Sequence, residues 1–378
     1  MWPSRAYILK HIDATLGALL CRLFGWLNFM AHREILTDDI RLERIQRILV
    51  IRPGGMGDML LLLPVLQILR DRLPHATIDL VCEKRNIEVL DIANSVSGSL
   101  VYDRNPASFI YRLVKGGYDM VIDTEQFHHF SAIFSWISRA PVRIGFKINP
   151  VRNPLYTHLV NYEPDGPEPM QFAALLSALG IRECPAPRAG ILGEHLPNLD
   201  ESVSGKIDSA FCRKPFVAIH PGATIDCKQW PNERFAELSG LLHEEFDFGT
   251  LLVGGKSDTD AADSILSSLE PEMSTLSLTG HLSLPQVAAT LRRSVLFVGG
   301  DSGLAHLAVA VGVPTVVIFG PSDPGKWGLE TSSNAVVSVD LPCQPCCIFG
   351  YSKPCHSVPC MMQISVEQVL QGVRKILG

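Results

Sequence analysis

The chain has 378 residues, enough for two domains of ordinary size. Hydrophobic residues make up 47% of it and charged residues 19%, with a mean hydropathy of +0.18, as in a globular, slightly apolar protein. The net charge of −6, with no long basic block, argues against nucleic acid as the main partner.

Residues 15–30 (TLGALLCRLFGWLNFM) are apolar, but Arg22 interrupts a run already short for a transmembrane helix, and no secretory signal is evident. Leu16, Leu19, Leu20, Leu23, Phe24 and Leu27 recur at helical spacing, with Trp26 and Phe29 alongside and Arg5, Lys10 and Arg22 as basic residues. Two readings stay open here: an amphipathic helix lying on a membrane surface, or a helix packed on the protein's own core. A polar connector follows over 31–44, so residues 1–44 are set apart as an N-terminal extension.

Arg47–Ile51 reads as a strand buried on both faces. The turn Arg52-Pro53-Gly54-Gly55-Met56-Gly57-Asp58 and a leucine-rich helix over 59–73 come next, with Pro64 expected to kink or restart that helix. The glycine spacing fits neither the dinucleotide fingerprint nor a P-loop, which also needs a lysine. Further strands are expected at 77–82, 100–102 and 120–123, making residues 45–190 a Rossmann-like domain. A loop over 149–169, a helix over 170–179 and a proline-rich linker from 185 to about 197 complete this half.

A second alternation occupies residues 198–365. Strand 216–220 runs into Pro221-Gly222-Ala223-Thr224 and a helix over 232–245; strand 250–253 ends at Gly254-Gly255, before a helix from about Asp258. After strand 276–278, the turn at Thr279-Gly280 and helix 284–292, strand 294–298 leads into Gly299-Gly300-Asp301-Ser302-Gly303-Leu304-Ala305-His306, then strand 315–319. In this βαβ unit the helix opens at Asp301, a good N-cap by type, and its N-terminus suits phosphate. Gly300-Asp301-Ser302-Gly303 mimics the nucleophile segment of trypsin-like proteases, but an α/β pattern does not suit a double β-barrel, and Leu304 breaks the nucleophile-elbow pattern. Asp258-Thr259-Asp260 mimics a D-x-D metal motif, yet at a helix start it reads as capping.

Two Rossmann-like domains with glycine turns on facing edges describe the GT-B architecture. Gly55-Met56-Gly57-Asp58, His220-Pro221-Gly222-Ala223, Lys228-Gln229-Trp230-Pro231, Gly254-Gly255, Thr279-Gly280, Asp301 to His306 and Phe319-Gly320-Pro321-Ser322-Asp323-Pro324 together resemble glycosyltransferase family 9, the heptosyltransferases of lipopolysaccharide core synthesis. The resemblance implies inverting transfer of a sugar, heptose, from a nucleoside diphosphate (ADP-heptose) to a lipopolysaccharide or other glycan or glycolipid acceptor. It makes Asp58 the general base and Lys228 the neutraliser of the leaving diphosphate. Gly57, His220, Gly222, Ala223, Thr224, Gly254, Gly255, Asp301, Ser302, Gly303 and His306 would line the donor site. No metal is required, because a lysine and a helix dipole can carry the charge. Cys343, Cys346, Cys355 and Cys360, with Cys347, form a loop of plausible zinc-ligand composition but irregular spacing, read as structural. The helix over 366–378 is expected to cross back to the first domain. The place of action is expected to be cytoplasmic, peripheral on the inner face of the cytoplasmic membrane. Two rivals are a non-catalytic sugar-nucleotide or glycan-binding protein of the same fold, and a metal or redox module built on the cysteines.

Overall fold

The computed structural model describes residues 11–30, 40–183, 190–192, 196–328, 330–348, 351–352, 355 and 357–378. The chain forms two compact units, Met1–Ala186 and Pro187–Gly378; most of the expected linker, and residues 31–39 of the connector, lie outside the described residues.

The first unit is built on a parallel sheet of six strands: β1 (Arg47–Ile51), β2 (Thr77–Cys82), β3 (Gly98–Val101), β4 (Met120–Asp123), β5 (Val142–Lys147) and β6 (His158–Asn161), in the order β3-β2-β1-β4-β5-β6. β1 and β4 sit centrally and are almost wholly buried, as their unbroken apolar runs require when helices cover both faces. The helices are α1 (Ala18–Met30, entered by a π turn over Asp13–Gly17), α2 (Met56–Arg72), α3 (Pro106–Lys115), α4 (His129–Ile137) and α5 (Glu168–Ala174). α2 runs through Pro64 as one element, against the expected interruption. Nine of its side chains are buried, among them Leu60 to Leu63 and Leu66, and at roughly 2 kcal/mol each they outweigh the cost of about 3 kcal/mol of an internal proline.

β5 and β6 are absent from the sequence expectation, and β6 falls in the stretch read there as loop. β5 hides because Arg143 stands in it; that guanidinium is buried and satisfied by the carbonyls of Leu155 (2.8 Å) and Ala140 (2.6 Å). β6 is a four-residue edge strand, half exposed, with no apolar alternation to betray it.

The second unit repeats the winding with β7 (Phe216–His220), β8 (Gly249–Leu252), β9 (Thr275–Ser277), β10 (Leu296–Gly300), β11 (Thr315–Phe319) and β12 (Asn334–Ser338), in the order β12-β11-β10-β7-β8-β9. Renumbered from its own start, this is the same sequence of strands as in the first unit. Its helices are α6 (Glu201–Phe211), α7 (Asn232–Phe246), α8 (Thr259–Leu266), α9 (Leu284–Leu291), α10 (Gly303–Val311), α11 (Pro324–Trp327), α12 (Pro359–Met362) and α13 (Val366–Leu377); a short antiparallel pair, β13 (Cys347–Ile348) and β14 (Tyr351–Ser352), follows β12. The last helix, α13, buries Val366, Val369, Leu370 and Val373 in the second unit's core with Trp230 and Val337. Trp230 Nε1 donates to the Ile364 carbonyl at 3.0 Å, tying the approach to that helix to the segment after Lys228.

In each unit the strand order reverses between the first and fourth strands, β1 and β4 or β7 and β10. The carboxyl ends of such a pair leave the crevice where doubly wound sheets bind ligands.

Candidate active site

In the second unit this crevice is lined by residues that follow β7, β8 and β10. His220 ends β7 and is buried, with Nδ1 3.2 Å from Ser302 Oγ and Nε2 3.3 Å from Asp258 Oδ2. Asp258 also accepts from the Gly255 amide at 2.8 Å and from Ser257 Oγ at 3.2 Å. Burial works against its ionisation, but the His220 contact and the Gly255 amide prevail and hold the carboxyl below the ordinary range. A Cβ at Gly222 would collide with the Asp258 carboxylate, and one at Gly254 would lie 2.6 Å from it; both glycines are therefore required by close approach.

Asp301 follows β10 directly. Its Oδ2 takes a 2.6 Å ion pair from Lys228 Nζ and its Oδ1 lies 3.9 Å from His306 Nε2. Burial again opposes the charge, while Lys228 and then His306 overcome it, so the carboxyl sits below its usual range. Lys228 is not a solvated surface lysine: its side chain is 17% exposed and that of Asp301 9%. The expected cap is corrected here. α10 starts at Gly303 with Ser302 as N-cap, and Asp301 stands one residue earlier, turned to Lys228. Since the Ser302 hydroxyl meets His220 rather than the helix, the first-turn amides of Gly303, Leu304 and Ala305 are left as donors at the positive end of the helix dipole.

The first unit carries a turn of the same local pattern. In Gly54-Gly55-Met56-Gly57-Asp58 the Asp58 Oδ2 accepts from the Gly55 amide at 3.0 Å, as Asp258 Oδ2 does from Gly255 in Gly254-Gly255-Lys256-Ser257-Asp258. Gly54 has φ +131°, open to glycine alone at little cost. Asp58 is the third residue of α2, not its cap, and its other oxygen pairs with Arg52 at 3.1 Å. Arg52 is 3% exposed, and Asp58, at 23%, keeps an open side. The guanidinium donates to the Thr124 carbonyl at 3.0 Å, lies 4.9 Å over the Phe172 ring, and has no partner for Nε among the described residues.

Thus His220, Gly222, Gly254, Gly255, Lys228, Asp301, Ser302, Gly303 and His306 are brought to one sheet edge in the second unit, with Ala223 and Thr224 in the turn after His220. Asp58 and Gly57 open α2 in the first unit. Two residues escaped the sequence reading. Asp258 looked like a cap, and its signal was the second Gly-Gly-x-x-Asp; Arg52 had no signal beyond its place at the end of a buried strand.

The cysteine loop borders the second-unit edge. The amides of Cys346 and Cys347 donate to the Pro321 carbonyl, both at 2.9 Å, and Gln344 reaches the Gly320 carbonyl, so the loop pins the turn after β11. Cys343 and Cys355 are exposed, Cys347 and Cys360 buried, and no disulfide joins the described cysteines. Among the described residues no group of three or more His, Cys, Asp or Glu side chains is arranged to hold a metal ion.

The profile of glycosyltransferase family 9 (heptosyltransferase) matches residues 107–355, well over half of the chain. The chain belongs to this family. It is a glycosyltransferase of the heptosyltransferase kind, and Asp58 precedes the matched residues. Lipopolysaccharide heptosyltransferase 3 of Escherichia coli is 26% identical over 72% of this chain and 81% of its own length; lipopolysaccharide heptosyltransferase 1 of Pseudomonas aeruginosa is 25% identical over 79% and 86%. The solved structure of the Escherichia coli ADP-heptose lipopolysaccharide heptosyltransferase II superposes with a TM-score of 0.68, at 22% identity, covering 88% of this chain and 98% of that one. The fold is accordingly GT-B, as the sequence led us to expect.

Proposed function

We propose that the chain is an inverting transferase that moves heptose from ADP-heptose to a lipopolysaccharide or related glycolipid acceptor, working at the cytoplasmic face of the membrane as a peripheral protein. The observation that carries the reading is the Lys228 ammonium, held by Asp301, beside the amide-rich start of α10, which together offer N–H donors and a helix dipole to a leaving diphosphate. Asp58 acts as general base. It takes the proton from the acceptor hydroxyl as that oxygen bonds to the anomeric carbon, while the bond from this carbon to the diphosphate oxygen breaks. Lys228 and the α10 amides receive the charge that develops on the departing nucleoside diphosphate. Asp301 and His306 orient the lysine, and His220, fixed by Asp258, holds Ser302 at the helix start.

Names of the similar proteins support heptose as the sugar and lipopolysaccharide as the acceptor class, and ADP-heptose as the donor. The test offers purified protein ADP-heptose and other nucleoside-diphosphate sugars together with a heptose-deficient lipopolysaccharide acceptor. Transfer is followed by mass spectrometry and the anomeric configuration of the product by NMR. We expect transfer from ADP-heptose with inversion. Tight binding of a donor with no transfer from any would mark the chain as a sugar-nucleotide-binding protein instead.

A further inference from the structure

The N-terminal helix resolves its two readings into two faces. Toward the body runs a ridge of small and polar residues, Asp13, Gly17, Cys21, Gly25 and Asn28. Asp13 accepts the His129 and Phe130 amides at 3.0 and 2.9 Å and so caps α4. Asn28 donates to the Pro154 carbonyl and accepts from Trp136 Nε1, both at 2.8 Å, and Phe24 stacks on Trp136 with ring centroids 4.2 Å apart. Gly17 and Gly25 allow this contact, since a Cβ would lie 2.8 Å from His129 Cβ and 3.0 Å from Pro154 Cβ.

Away from the body stand Ile12, Leu16, Leu19, Leu23, Trp26 and Leu27, between 39% and 61% exposed, at steps of three and four residues that place them on one face. This reverses the usual arrangement, in which the leucines meet the core and polar residues meet solvent. A contiguous apolar face of this size marks a surface that is covered in use.

We propose that this face lies in the interfacial layer of a membrane bearing anionic lipids. Charge selects that occupant. The one acidic residue of the first thirty, Asp13, is turned inward, whereas Arg22 is exposed beside the apolar face and Arg5 and Lys10 precede it in the sequence. Leucines with a tryptophan on one side and basic residues at the flank are the composition of a helix that lies in the plane of a headgroup layer. No helix among the described residues is long and apolar enough to cross the bilayer, so the contact is lateral. The inference rests on the reading of a glycolipid acceptor for its purpose but not for its test: docking would hold the first unit where such an acceptor is presented.

The test is flotation of the full chain with vesicles of phosphatidylethanolamine and phosphatidylglycerol, alongside Leu19→Gln/Leu23→Gln and, as an independent pair, Leu16→Gln/Leu27→Gln. Truncation is unsuitable, because it would remove Asp13 and Asn28 from the body. We expect the full chain to float and each double variant to bind at least about tenfold more weakly, with melting temperature and donor binding unchanged. High salt should weaken binding of the full chain. A full chain that stays with the soluble fraction, or double variants that float equally well, would overturn the proposal. So would double variants that turn a dimer into a monomer without altering flotation, since the face would then cover a second copy. Flotation with no transfer from any sugar nucleotide would count against the proposed enzyme and leave the docking surface standing.

Discussion

Asp58 has two tasks that a single substitution separates. One oxygen holds the Gly55 amide and the other pairs with the buried Arg52. Asparagine can keep the first contact, but it leaves Arg52 without its nearest counter-charge, so Asp58→Asn should cost about 1–3 kcal/mol of stability by thermal melting. The same change removes the proposed proton acceptor. Transfer should fall at least about a hundredfold while ADP binding, measured by calorimetry, is retained. A variant within a few-fold of the parent rate would return Asp58 to a purely structural part. Lys228→Ala reports on the other unit: it should weaken ADP at least about tenfold, and Lys228→Arg should restore part of it by returning the charge. Removing the lysine also strands the Asp301 carboxylate, so Lys228→Ala is expected to be less stable than the parent at neutral pH. Asp301 titrates below its ordinary value when folded, so the stabilisation it contributes is present above about pH 4 and lost as the pH falls through the folded value. The stability gap between parent and Lys228→Ala should therefore close in acid.

At the scale of elements, the docking of α1 should depend on pH. His128 Nδ1 lies 3.6 Å from the Asp13 carboxylate, and the attraction of that carboxylate, its largest influence, raises the histidine's pKa above the usual value. A raised histidine contributes stability that is complete below its unfolded pKa and disappears as pH rises through the folded one. Hydrogen exchange in residues 13–28 should accordingly quicken from pH 6 to pH 9 beyond the intrinsic change of rate, and His128→Gln should remove the excess; equal pH trends in both proteins would contradict this. What was legible in the sequence follows the same logic of elements. Strands buried on both faces, such as Phe216–His220 and Thr315–Phe319, announce themselves, because nothing polar can stand in them unpaired. β5, β6 and β12 did not, since buried polar residues (Arg143 in β5, Asn334 in β12) or half-exposed edges erase the pattern. Spacing grouped Leu16, Leu19, Leu20, Leu23, Phe24 and Leu27 on one helix, but it could not say which of them met the body; Leu20 and Phe24 do. The small ridge of Gly17, Cys21 and Gly25 carries that information only once its neighbours are known.

For the molecule as a whole, each sheet edge carries ion pairs of its own among the described residues. Arg52 and Asp58 answer one another in the first, and Lys228 with Asp301 and His220 with Asp258 in the second. Each unit also has its own buried core, around Leu49 and Val121 in the first and around Trp230 and Val298 in the second. Residues 187–378 produced alone should therefore fold and bind ADP with an affinity within about tenfold of the full chain, without catalysing transfer. An unfolded or non-binding fragment would show that the donor seat depends on the first unit.

That self-sufficiency bears on how such a protein can change over generations. A lineage acquiring a new acceptor can accumulate substitutions around Asp58, whose partner is Arg52, while Lys228 keeps its own partner, Asp301. Specificity for the sugar given and for the sugar received can then drift on separate clocks, and recombination between related genes near residue 187 would shuffle the two as intact halves.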